Sequence, residues 1–169
     1  RHLSPLQPRE LNDQINGEDG HNAQFTNGPR VQDLKMNRHL RICIWNANGL
    51  AQHSQELKSF LRDQAIDVML ISETHFTKKT YLKINEYMIY DTKHPDGAAH
   101  GGTAVIIKKS FKHSELPKFE ENFLQATSLR LEDKRGALTL SAVYCPPKHT
   151  IKRDQFLNFF STLGPRFMA

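Results

Sequence analysis

The sequence has 169 residues, enough for one hydrophobic core but not comfortably for two, and 38% of them are apolar. Its 23 Lys and Arg against 18 Asp and Glu give a net charge of +5, which modestly favours a polyanionic partner, although ordinary solvated surfaces are often this basic. No window approaches the roughly 18 to 20 consecutive apolar residues of a membrane-spanning helix, so no membrane partner is expected and the chain reads as soluble.

From Arg1 to about residue 38 there is no sustained apolar period. Pro5, Pro8, Gly17, Gly20, Gly28 and Pro29 punctuate a run rich in Asn, Gln, Asp and Glu. Such a segment cannot bury enough apolar surface to offset its chain entropy, and residues 1–38 are expected to be a disordered or weakly ordered tail. Residues 39–169 form the expected folded portion.

Leu40 to Trp45 is a short apolar run that suits a buried strand, ended by Asn46 to Gly49. His53 to Ala65 places Leu57, Phe60, Leu61 and Ala65 on one helical face. Val68 to Ile71 follows as a second buried strand, so the opening reads as a βαβ unit. Tyr87 to Tyr90 suits a strand, His94 to Gly101 a polar loop, and Thr103 to Ile107 another strand. Phe123 to Leu131 and Leu138 to Tyr144 flank the polar turn Asp133-Lys134-Arg135-Gly136, a hairpin pattern. Phe156, Phe159, Phe160 and Leu163 repeat at helical spacing, so 151–163 is an expected amphipathic helix, stopped by Gly164-Pro165. The order predicts an α/β or α+β fold with a mixed sheet.

Cys43 and Cys145 each sit in or beside a strand-like run, with no Cys-x-x-Cys pair. Reduced thiols in an intracellular compartment are the expectation, and a disulfide stays open. The nine histidines show no zinc-motif spacing, so no zinc site is expected. The chain starts at Arg1 and ends at Ala169 straight after an apolar stretch, so both ends read as cuts.

Three strand ends carry candidate chemistry. In Trp45-Asn46-Ala47-Asn48-Gly49-Leu50, two Asn side chains leave a buried strand at its carboxyl end, where ligands favour open α/β sheets. Asn48-Gly49 also reads as a plain turn. Glu73, directly after the second strand, is a carboxylate next to the Asn pair if the two strands are neighbours; magnesium takes one or two such carboxylates and keeps several waters. Glu73 also reads as an ordinary loop residue. Tyr144, before Cys145-Pro146-Pro147, carries a phenol that stays protonated at neutral pH and can donate to a phosphate oxygen, or simply packs.

Taken in order, Trp45 to Leu50, Glu73-Thr74-His75, Gly101-Gly102-Thr103-Ala104-Val105 and Tyr144 to Pro147 resemble the successive motifs of the endonuclease/exonuclease/phosphatase superfamily, and within it the endonuclease domains of non-LTR, jockey-like retrotransposons. The resemblance implies a four-layer αββα sandwich of the DNase I-like kind and magnesium- or manganese-assisted nicking of DNA, in an intracellular and finally nuclear setting, with a reverse transcriptase domain downstream. It implies that Glu73 is the principal metal carboxylate, that Asn48 supports the metal, that Asn46 orients catalytic groups and phosphate, and that Tyr144 contacts the scissile phosphate.

The family's Gly-Asp-x-Asn and Ser-Asp-His motifs do not occur in these 169 residues. The expectation is therefore an amino-terminal portion of the domain, cut before its second half. With the second sheet absent, about 500 Å² of apolar surface would stay exposed, forfeiting on the order of 12 kcal/mol at ~25 cal/mol per Å². Such a fragment would be unstable and inactive. Two other readings stay open: a non-catalytic nucleic-acid-binding remnant using Lys108, Lys109, Lys112, Lys148, Lys152 and Arg153, and a phosphoesterase of the same superfamily acting on a small substrate.

Overall fold

The computed structural model describes residues 39–133 and 136–165. The expected tail at 1–38 lies outside them, as do two residues of the hairpin turn. The chain begins with strand β1 (Ile42–Asn46), a 3-10 turn (Leu50–His53), helix α1 (Ser54–Asp63) and strand β2 (Val68–Ser72). β1 and β2 pair in parallel, Ile42 opposite Val68 and Asn46 opposite Ser72, which confirms the βαβ opening. The helix stops short of the expected Ala65 because that residue has a left-handed φ of 50°, and the Gln64 N–H closes the last turn on the Phe60 carbonyl.

Strands β3 (Tyr87–Thr92) and β4 (Thr103–Lys108) complete a first sheet in the order β1-β2-β4-β3. β4 runs antiparallel to both neighbours. The carboxyl ends of β1, β2 and β3 and the start of β4 therefore share one edge of the sheet.

The second sheet is built from β5 (His113–Glu115), β6 (Phe119–Glu121), β7 (Leu124–Asp133) and β8 (Gly136–Tyr144). β7 and β8 form the expected hairpin, with Gln125 opposite Tyr144. The short strands β5 and β6 were not foreseen; both lie antiparallel along β7. Helix α2 (Arg153–Thr162) follows.

Alternation along the strands explains the layering. Met69 and Ile71 of β2, with Ala104 and Ile106 of β4, face Leu57 and Leu61 of α1. Their neighbours Val68, Leu70, Val105 and Ile107 point the other way, onto Leu129, Leu131 and Ala142 of the second sheet. Leu124 and Ala126 on the outer face of that sheet meet Phe159 and Leu163 at α2. The result is helix, sheet, sheet, helix, as the resemblance implied.

This corrects the expectation of a bare first sheet. β5 to β8 do supply a second one, and Val68, Val105, Ile107 and Leu129 are fully buried between the two. The uncovered remainder of the inner face lies on β1, where Ile42 and Ile44 are 40% and 79% exposed. Near the shared edge the seam between the sheets turns polar. Thr127 Oγ1 donates to Thr92 Oγ1 at 2.9 Å and lies 2.9 Å from Thr103 Oγ1, while Thr92 Oγ1 donates to the Ala126 carbonyl at 3.0 Å. All three threonines are buried, and each hydroxyl is satisfied.

Candidate active site at the strand ends

The chain leaves β1 and β2 side by side, and backbone hydrogen bonds keep the two exits together. Ala47 N–H donates to the Ser72 carbonyl at 2.9 Å, Gly49 N–H to Glu73 at 2.8 Å and Leu50 N–H to Thr74 at 3.0 Å. On the other flank, Thr74 and His75 N–H groups donate to the Gly102 and Gly101 carbonyls at 3.3 and 3.0 Å. The segment Glu73 to His75 is thus clamped between the β1 exit and the β4 entry.

The clamp holds residues in sparsely populated backbone geometry. Asn48, Glu73 and His75 have left-handed φ values of 42°, 54° and 54°, three of the five such non-glycine residues among the described ones. Strain of this kind persists where surrounding structure over-determines it, and it gathers at functional sites. Gly102 adds a close approach: a Cβ there would lie 2.8 Å from Thr74 Oγ1 and 3.0 Å from the Thr92 carbonyl.

Glu73 stands at the centre. Asn46 Nδ2 donates to Glu73 Oε1 at 3.0 Å, and Asn46 Oδ1 accepts from the Asn48 N–H at 3.2 Å, so both ends of the Asn46 amide are committed. Glu73 Oε2 lies 4.0 Å from His75 Nε2. Tyr144 arrives from β8 in the second sheet. Its pKa is raised above the ordinary 10.0, first by burial and then by Glu73, which acts on the phenol as a negative charge and as a hydrogen-bond acceptor. Gly101 permits that approach, since a Cβ there would sit 3.2 Å from Tyr144 Cε1 and 2.9 Å from Gln125 Oε1.

Asn46, Glu73 and Tyr144 are therefore brought together as the sequence suggested. Asn48 joins through its backbone N–H; its exposed side chain makes no hydrogen bond to Glu73 among the described residues. Two partners escaped the sequence reading. His75, within the Glu73-Thr74-His75 motif, faces the carboxylate. Gln125 is fully buried and accepts from the Gly102 N–H at 3.4 Å, thereby bracing the glycine pair from the second sheet. A polar residue on the inward-facing register of β7 was the only available signal for it.

The donor set fits a hard divalent cation. One Glu73 oxygen is oriented by Asn46, the carboxylate side chain is 25% exposed, and the exposed Asn48 follows the end of β1 at the same edge. A single carboxylate with neutral oxygens and water suits magnesium or manganese. The basic candidates divide. Lys108 and Lys112 are ion-paired at 2.7 Å to Asp67 and Glu132, and with Lys109 they lie toward the opposite edge of the sheets, whereas Lys148, Lys152 and Arg153 come after β8 in the chain. Cys43 and Cys145 are both free thiols.

Residues 43–165 match the sequence profile of the Endonuclease/Exonuclease/phosphatase family. The chain is 41% identical over 130 residues to the RNA-directed DNA polymerase from mobile element jockey of Drosophila melanogaster, a match covering 77% of this chain and 14% of that protein. It is 33% identical over 131 residues to the probable RNA-directed DNA polymerase from transposon X-element of the same organism, again covering 77% of this chain and 14% of the relative. The chain thus spans about a seventh of the length of these curated relatives. Among solved structures, the endonuclease domain of TRAS1, a telomere-specific non-LTR retrotransposon, superposes with a TM-score of 0.52 at 16% identity, covering 76% of this chain and 55% of that one. At that identity the likeness speaks for the fold.

Proposed function

The chain belongs to the Endonuclease/Exonuclease/phosphatase family, and from that premise we propose that it supplies one part of a metal-dependent DNA-nicking site belonging to a retrotransposon polyprotein. The observation that carries the reading is the Asn46–Glu73 hydrogen bond at 3.0 Å, set at a strained strand exit with Tyr144 facing the same carboxylate. Glu73 would hold the cation, with the Asn48 side chain beside it. The chemistry that magnesium or manganese supplies when bound in such a site is stabilisation of charge on the phosphate and on the leaving oxygen.

The chain's own residues do the positioning. Asn46 fixes one Glu73 oxygen, while the other faces His75 Nε2 at 4.0 Å. Tyr144 is a neutral phenol in the physiological range, as at its ordinary pKa of 10.0, and burial and Glu73 raise that pKa further; its one O–H would turn from Glu73 to a phosphate oxygen. Lys148, Lys152 and Arg153, in the segment that follows Tyr144 and β8, would meet the DNA backbone. The substrate is DNA at a nuclear target, and the reverse transcriptase activity lies downstream in the polyprotein.

The Gly-Asp-x-Asn and Ser-Asp-His motifs, which the family uses to position the nucleophilic water, do not occur in these 169 residues. The chain by itself is accordingly inactive. The test is nicking of supercoiled plasmid in magnesium by this chain and by a domain in which segments carrying those two motifs follow it. The expected result is nicking by the completed domain alone, abolished by Glu73→Ala. Nicking by the 169-residue chain that depends on Glu73 would overturn its inactivity. Failure of the completed domain to nick, with phosphate release from inositol phosphates instead, would overturn the nuclease reading.

A further inference from the structure

The loop that joins β3 to β4 at the site edge folds on itself. Pro95 occupies the second position of a turn closed by the Gly97 N–H donating to the His94 carbonyl at 3.0 Å, and the His100 N–H reaches back to the Ala98 carbonyl at 2.9 Å. Gly97, at φ 73°, supplies the left-handed step between the two turns. Three side chains converge as a consequence. His94 Nδ1 lies 2.8 Å from Asp96 Oδ1, His100 Nε2 lies 3.1 Å from Asp96 Oδ2, and the two imidazole centroids are only 4.0 Å apart.

We propose that His94, Asp96 and His100 form a binding site for a borderline divalent transition metal, zinc above all, separate from the Glu73 centre and with at least one position left for water or an anionic oxygen ligand. One ligand atom from each of the three residues lies within 4.8 Å of the others. Tetrahedral zinc with bonds of about 2.1 Å holds its ligands about 3.4 Å apart, so the carboxylate–imidazole separations of 2.8 and 3.1 Å need to widen by about 0.6 and 0.3 Å. The donor types suit the metal: two imidazoles and one carboxylate are a common zinc set, while magnesium and calcium prefer oxygen alone.

The Ala98 N–H donates to Asp96 Oδ1 at 2.8 Å, which orients the carboxylate. His-x-Asp-x-x-x-His follows no zinc-finger spacing, and the three residues become a cluster only through the paired turns. Bound metal would fix the loop that runs into Gly101 and Gly102, the pair clamping Glu73 to His75.

The test is titration of the chelator-treated 169-residue chain with zinc by calorimetry, and with cobalt by visible absorption. The expected result is one zinc per chain at micromolar affinity or tighter, with cobalt d–d bands of low-symmetry nitrogen–oxygen ligation. His100→Gln, at a side chain 53% exposed and so without effect on the core, should weaken zinc by more than about tenfold, and His94→Gln likewise. Glu73→Gln should leave zinc affinity unchanged, and millimolar magnesium should not compete. Absence of saturable zinc binding, or equal affinity in His100→Gln with unchanged circular dichroism, would overturn the proposal.

Discussion

Asn46 and Glu73 sit on adjacent parallel strands 27 residues apart in sequence, and a single 3.0 Å hydrogen bond from Nδ2 to Oε1 joins them where both strands end. A charge-assisted bond of this kind is worth roughly 1.5 to 3 kcal/mol where it is shielded from water, and less on this exposed rim. Its value is orientation. Asn46→Ala should leave the fold intact, with thermal unfolding close to that of the parent. In the completed domain it should lower nicking about 10- to 100-fold, partly recovered by raising magnesium. Unchanged magnesium dependence would mean that Asn46 does not act through Glu73.

Gly102 is needed for its shape. Its φ is 76°, and a Cβ would meet Thr74 Oγ1 at 2.8 Å and the Thr92 backbone at 3.0 Å. Gly102→Ala should therefore destabilise the chain by about 2 to 3 kcal/mol, combining left-handed strain with overpacking. Urea unfolding checks this, and a midpoint equal to the parent's would show that the turn relaxes freely.

Thr127 links the sheets through Thr92 and Thr103. Thr127→Val keeps the volume but leaves buried hydroxyls short of a partner, at a cost of about 1 to 3 kcal/mol. The double variant with Thr103→Val should recover part of the loss, which a double-mutant cycle in urea would read.

Tyr144 ionises above its ordinary value of 10.0, burial being the larger cause and Glu73 the second. The folded state therefore keeps a proton that the unfolded state releases, so above about pH 10 this group makes stability fall as pH rises, and below it the group is neutral in both states. The difference in tyrosinate absorbance between the chain and Tyr144→Phe should show the late titration, and Glu73→Gln should move it down only in part. A complete return to the ordinary value on Glu73→Gln would make charge, not burial, the main cause.

Much of this was legible from local pattern. The runs at Val68 to Ile71 and Thr103 to Ile107 could only be buried strands, and Phe159 with Leu163 marked the buried face of α2. β5 and β6 could not be read, because His113-Ser114-Glu115 and Phe119-Glu120-Glu121 have no strand pattern of their own and exist by pairing with β7. The second sheet was expected to be missing for another reason, the absence of the Gly-Asp-x-Asn and Ser-Asp-His motifs, yet β5 to β8 supply one. At the site, Asn46, Glu73 and Tyr144 stood out as strand-end residues. That Glu73 meets Asn46 and Tyr144 goes with left-handed turns at Asn48, Glu73 and His75, a conformation that no side-chain preference announces for Glu.

The claim that Glu73 is the metal-binding carboxylate is tested most directly by paramagnetic broadening of backbone amide signals in the 169-residue chain at substoichiometric manganese. Signals of Asn48, Gly49, Glu73 and His75 should broaden, and Glu73→Gln should restore them while His100→Gln does not. Broadening that leaves these residues sharp, or that persists unchanged in Glu73→Gln, would contradict the account.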